Sequence, residues 1–79
     1  SGMLHTYIIT IPSNEENLLD IIPTRELLQK GYPKKNLHII AVAGNYDEAV
    51  LLACDIVKET YENTGKTDVK SYLKSRRRK

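Results

Sequence analysis

The chain has 79 residues, 41% of them hydrophobic and 28% charged, which suits one small globular domain and is too apolar for a disordered segment. A single cysteine, Cys54, excludes an internal disulfide, and with two histidines it leaves no four-ligand zinc spacing. No apolar run approaches the roughly 20 residues of a membrane helix and no basic-then-apolar leader opens the chain, so a cytoplasmic protein without membrane contact is expected.

Net charge is +2, but the sign is unevenly placed. Lys74, Arg76, Arg77, Arg78 and Lys79 are five of the 12 basic residues. The other seven stand against 10 acidic ones, a formal −3. Ser1 and Gly2 read as a tag remnant ahead of Met3. A single domain is therefore expected over 3–73, followed by a basic tail over 74–79.

Residues 4–11 are rich in β-branched and aromatic side chains and end at Pro12, which predicts a strand. Ser13 with Glu16 three positions later has the form of a capping box, and Leu18, Leu19 and Ile22 follow at helical spacing. Pro23 interrupts, and a second short helix is expected over 24–30, with Thr24 as N-cap and Gly31 just past its end. Period alone does not separate helix from strand in so short an apolar run. The alternative is that residues 18–22 form a strand returning from the first.

Residues 32–36 read as a loop. Residues 37–43 are nearly all apolar, as expected of a strand covered on both faces. Gly44 and Asn45 turn the chain into a long amphipathic helix over 46–63, whose apolar stripe includes Ala49, Val50, Leu52, Ala53, Cys54, Ile56, Val57 and Tyr61. Thr64 and Gly65 end it. A short helix over 68–74 precedes the tail.

The expected fold is thus a small β-α-β-α unit of the α/β class, with two parallel strands joined by a helical crossover. Two strands make too small a sheet, and Leu51 sits apolar on the polar side of the long helix. The expectation is a homodimer that completes the sheet. A three-stranded β-β-α-β-α order would remove that need.

Candidate chemistry is sparse. The turn at Gly44, Asn45 and Tyr46 lies where a parallel α/β unit gathers ligands, but it has one glycine and is followed by Asp47 and Glu48, which repel phosphate. A plain helix cap explains it better. His5 and His38 occupy matching positions near the starts of the two strands and would begin a metal site, yet no third ligand is placed. They read as ordinary strand histidines. Cys54, inside the apolar stripe, reads as a buried small hydrophobe rather than a reactive thiol. Asp47, Glu48, Asp55, Glu59 and Glu62 read as solvating charges on an exposed helix face.

The five aromatic residues are all tyrosines, and Tyr32 and Tyr46 are the two that flank turns, free to stack on a base. The clustered arginines suit phosphate groups, or else an acidic protein face. The sequence names no catalytic residue, metal ligand or cofactor. It points to a non-enzymatic homodimeric interaction or assembly module, with an accessory nucleic-acid-binding protein using Lys74, Arg76, Arg77, Arg78 and Lys79 as the alternative.

Overall fold

Three strands, a 3-10 segment and two α-helices follow one another along the chain: β1 (Tyr7–Thr10), β2 (Asp20–Pro23), the 3-10 turn (Thr24–Leu28), β3 (Ile39–Ala43), α1 (Tyr46–Thr64) and α2 (Val69–Arg77). The computed structural model describes residues 5–12, 14, 16–29, 31 and 37–77. The sheet has the order β2-β1-β3, and β1 is antiparallel to both neighbours.

That order corrects the expected pair of parallel strands. Residues 18–22 do not form a helix; the chain turns back after β1 and pairs Ile8 with Ile22 and Ile9 with Ile21. The turn is held by Asn14, whose side-chain oxygen accepts from the backbone N–H groups of Glu16 at 3.0 Å and Asn17 at 3.1 Å. This Asx turn occupies the place where a capping box was expected; Ser13 itself lies outside the described residues. Ile21 and Ile22 are β-branched, and Pro23 favours an extended Ile22. Proline is tolerated because β2 is an edge strand. The helix expected over 24–30 is the 3-10 turn Thr24–Leu28, and Thr24 is its first residue rather than its cap. The backbone N–H of Thr24 donates to the Thr6 carbonyl at 3.0 Å, which ties this turn to the start of β1.

A three-stranded sheet also removes the reason for completing the sheet with a second copy. The third strand comes from within the chain.

The core forms around β1. Ile8 and Ile9 point to opposite faces of the sheet, and both are buried, at 3% and 0% exposure. The strand covered on both faces is therefore β1, not the apolar 37–43 segment. β3 is an edge strand, and its Ile39 and Val42 are exposed. Its register slips beside Ile9 and Thr10: Ile9 faces Ala41, Thr10 faces Ile39, and Ile40 is left as the extra residue of a bulge.

The sequence-predicted long helix is α1. Its N-cap is Asn45, whose side chain accepts from the Glu48 N–H at 2.8 Å. Gly65 closes the helix in the left-handed region, φ 73°, and donates its N–H to the Tyr61 carbonyl at 2.8 Å. Ala49 and Thr60 are fully buried, and the Thr60 hydroxyl is satisfied by the Ile56 carbonyl at 2.8 Å. The buried line is narrower than the apolar stripe. A sheet of three short strands covers little of the helix circumference, and Cys54 is exposed rather than buried. Leu51 is 66% exposed, in keeping with its place among the polar residues.

Gly65 to Asp68 then turn the chain into α2, with Asp68 capping its first turn. The Asp68 carboxylate accepts from the Ser71 backbone N–H at 3.1 Å and from the Ser71 hydroxyl at 2.8 Å. These bonds, the backbone one first, hold its carboxyl below the usual aspartate value. Val69 is buried, which anchors the helix by its N-terminal end. No helix among the described residues is long and apolar enough to cross a membrane.

Candidate functional site

The two helices carry opposite charge. α1 holds Asp47, Glu48, Asp55, Glu59 and Glu62 against the single Lys58. α2 holds Lys70, Lys74, Arg76 and Arg77 and no acidic residue. The helical repeat sorts the four cations. Arg76 lies four residues after Tyr72 on the side turned to α1, whereas Lys70, Lys74 and Arg77 follow one another at spacings of four and three along a separate stripe.

Glu59 holds the inner pair. Its Oε2 accepts from the Tyr72 hydroxyl at 2.7 Å and from Arg76 Nη1 at 2.6 Å. The Arg76 guanidinium also lies 5.7 Å from the centre of the Tyr72 ring, within cation–π range. Both ends of the ion pair are about half exposed, so its Coulomb energy is small and its effect is mainly to fix geometry. Arg76 is therefore folded back onto the acidic helix. Among the described residues Lys70, Lys74 and Arg77 form no salt bridge.

The Tyr72 phenol must keep its proton to donate to Glu59. That hydrogen bond, with burial second, raises its pKa above the usual tyrosine value. A raised folded-state value stabilises the fold below the ordinary tyrosine range, near about 10, and the contribution is lost as pH rises through the raised value. Thermal melts at increasing alkaline pH should therefore show the wild type losing stability faster than Tyr72→Phe. Parallel curves would remove the Tyr72–Glu59 bond from the account.

The outer stripe borders a groove. On one side lies the β3 edge with His38, Ile39 and Ile40; on the other lies α2 with Lys70, Leu73, Lys74, Arg77 and also Arg76, which reaches the groove while paired with Glu59. The open volume is about 400 Å³. His38 and Ile39 are exposed, and Leu73 is half-buried. Ile40, the extra residue of the bulge, lines a smaller adjoining cavity with Ile56 and Leu73. One side is thus bordered by two isoleucines and a histidine, and the other carries four cations.

Among the sequence-predicted residues, Lys74, Arg76 and Arg77 lie inside α2, while Arg78 and Lys79 lie outside the described residues. The turn at Gly44, Asn45 and Tyr46 is spent on its own helix. The Asn45 oxygen caps Glu48, the Glu48 carboxylate accepts from the Gly44 N–H at 3.3 Å, and the Tyr46 ring meets Tyr7 edge-on at 5.5 Å. Tyr46 stands at the opposite end of β3 from the groove, so it cannot act with the α2 stripe; Tyr32 lies outside the described residues. His5 and His38 are separated by the antiparallel pairing, one before the start of β1 and the other before the start of β3, at opposite ends of the sheet. Among the described residues no three His, Cys, Asp or Glu side chains gather as metal ligands.

Sequence reasoning missed Lys70 and His38 as partners of the basic cluster. The signal for Lys70 was present: the helix expected over 68–74 already places Lys70 one turn before Lys74. His38 joins only because α2, packed on α1, borders the same groove as the β3 edge. No protein-family model, curated protein or solved structure matches the chain.

Proposed function

We propose that this chain is an accessory nucleic-acid-binding module that holds a phosphate backbone on the exposed basic stripe of α2. The observation that carries this reading is the stripe of Lys70, Lys74 and Arg77, free of salt bridges among the described residues, on a helix without a single acidic side chain. Clustered exposed cations repel one another, and a polyanion relieves that cost while releasing its own counterions. Arg78 and Lys79 follow directly in the sequence and add two more cations next to Arg77.

The acidic surface of α1 supports the same reading by contrast. Asp47, Glu48, Asp55 and Glu62 are exposed and would repel phosphate, so an approaching strand is steered to one side of the domain. Lysine and arginine contacts to phosphate carry no base information, so the binding is expected to be tolerant of sequence.

The test is fluorescence anisotropy of a labelled oligonucleotide of about 20 nucleotides, titrated with the protein at salt concentrations from about 50 to 200 mM. Three phosphate contacts give a slope of log K against log salt near −2 for a single strand, and five contacts near −3.5. A flat dependence, or no binding at the lowest salt, would overturn the proposal.

A further inference from the structure

Resting on that reading, we infer that the groove between the β3 edge and α2 takes a single strand of nucleic acid rather than a duplex, with phosphates on Lys70, Lys74 and Arg77 and base faces against His38 and Ile39. A duplex hides its base planes in the stack and offers proteins its phosphates and base edges. A single strand offers phosphates on one side and unstacked base faces on the other. The groove is divided in the same way.

Its cationic wall is the outer stripe of α2 with Arg76 beside it, and the stripe spans about 10 Å along the helix axis between Lys70 and Arg77. Its other side is bordered by His38 and Ile39, both exposed, Ile39 at 45% although it belongs to a sheet. Flat rings stack on bases without regard to sequence, and an aliphatic side chain beside them excludes water from the contact. On a surface that bound phosphates alone, apolar β3 side chains would find no partner. Shape favours the same conclusion. A helix that reads a duplex stands clear of its domain to enter the major groove, which is about 12 Å wide. Here the cations of α2 share a groove with β3, which suits an unpaired strand lying along it.

The occupant is distinguished by its charge and its bases together. A run of acidic side chains alone would satisfy the cations, but it lacks flat faces for His38.

The experiment compares three probes on the full chain: a labelled single strand of about 12 nucleotides, the blunt duplex of the same sequence, and polyglutamate as competitor at equal charge. The expected result is that the single strand binds roughly tenfold or more tighter than the duplex, and that polyglutamate displaces it only at large excess. His38→Ala and Ile39→Ser, both at exposed positions, should each weaken single-strand binding about fivefold and leave duplex binding unchanged. Equal or tighter binding of the duplex, or no effect of either substitution, overturns this inference and leaves the basic-stripe reading standing. Displacement by polyglutamate as effective as by unlabelled strand also overturns it, in favour of an acidic protein segment. Failure of both nucleic acids to bind at about 50 mM salt overturns the underlying reading itself.

Discussion

Ile9→Ala should cost the domain about 2–5 kcal/mol, while Val42→Ala on the neighbouring strand should change its stability by less than about 0.5 kcal/mol. Ile9 is fully buried on the central strand, so truncating it removes several methyl and methylene groups and leaves a cavity that packed neighbours fill only in part. A chain of this length has about 4–12 kcal/mol in total, so the variant is left marginal or unfolded. Val42 faces outward on an edge strand and has little burial to lose. Urea denaturation followed by far-ultraviolet circular dichroism gives both values from the shift in midpoint. The pair is diagnostic because the apolar composition of 37–43 points the other way, to β3 as the strand covered on both faces. A tolerated Ile9→Ala beside a disruptive Val42→Ala would overturn the strand order β2-β1-β3.

The elements that could be read from sequence are those whose signals are local. α1 begins at an Asn45 cap and ends at a Gly65 that needs positive φ, and its apolar period runs uninterrupted between them. Nothing distant has to be known to place it. The segment from Leu18 to Leu28 is different. Leu18, Leu19 and Ile22 fit a helical period, while Ile21, Ile22 and Pro23 suit an extended edge, and local preference does not choose between them. Pairing with β1 chooses, because it satisfies backbone groups on both strands and completes a sheet whose central residues are then buried. Misplacing that one segment turned an antiparallel sheet into a parallel pair, placed two histidines side by side that lie at opposite ends, and created the apparent need for a second copy.

The basic residues of the candidate site were legible as a cluster, but not as a surface. A boundary at 73/74 separates them from the helix on composition alone. Yet lysine, serine and arginine all continue a helix without a break, and cations near its C-terminus complement the helix dipole. α2 accordingly runs to Arg77. That dipole effect accounts for Lys74, Arg76 and Arg77 near the helix end, but not for Lys70 in the first turn, which adds a third member to the outer stripe. Arg76, counted with the others from sequence, also lines the groove but is held by Glu59. The distinction depends on which side of α2 each residue occupies and on where α1 lies, and both follow from tertiary packing.

Replacing Lys70, Lys74 and Arg77 together by glutamine should therefore lower affinity for a single strand by about 50-fold at 0.15 M salt, since each lost phosphate contact accounts for roughly fourfold there. The slope of log K against log salt should flatten by about 2 over the same series. Glutamine keeps the helical preference of the replaced residues, and none of the three forms a salt bridge among the described residues, so the circular dichroism spectrum should be unchanged. The loss of two cations from the end of α2 should cost at most about 1 kcal/mol each through the helix dipole. Arg76→Gln is the informative comparison. It removes the same formal charge as any one of the three, but from a guanidinium already held by Glu59, so it should loosen α2 on α1 and leave the salt slope almost unchanged. If Arg76→Gln flattened the slope as much as Lys74→Gln, the division of α2 into an inner and an outer side would have no bearing on binding. The cations would then act as an unsorted cluster, as composition alone describes them.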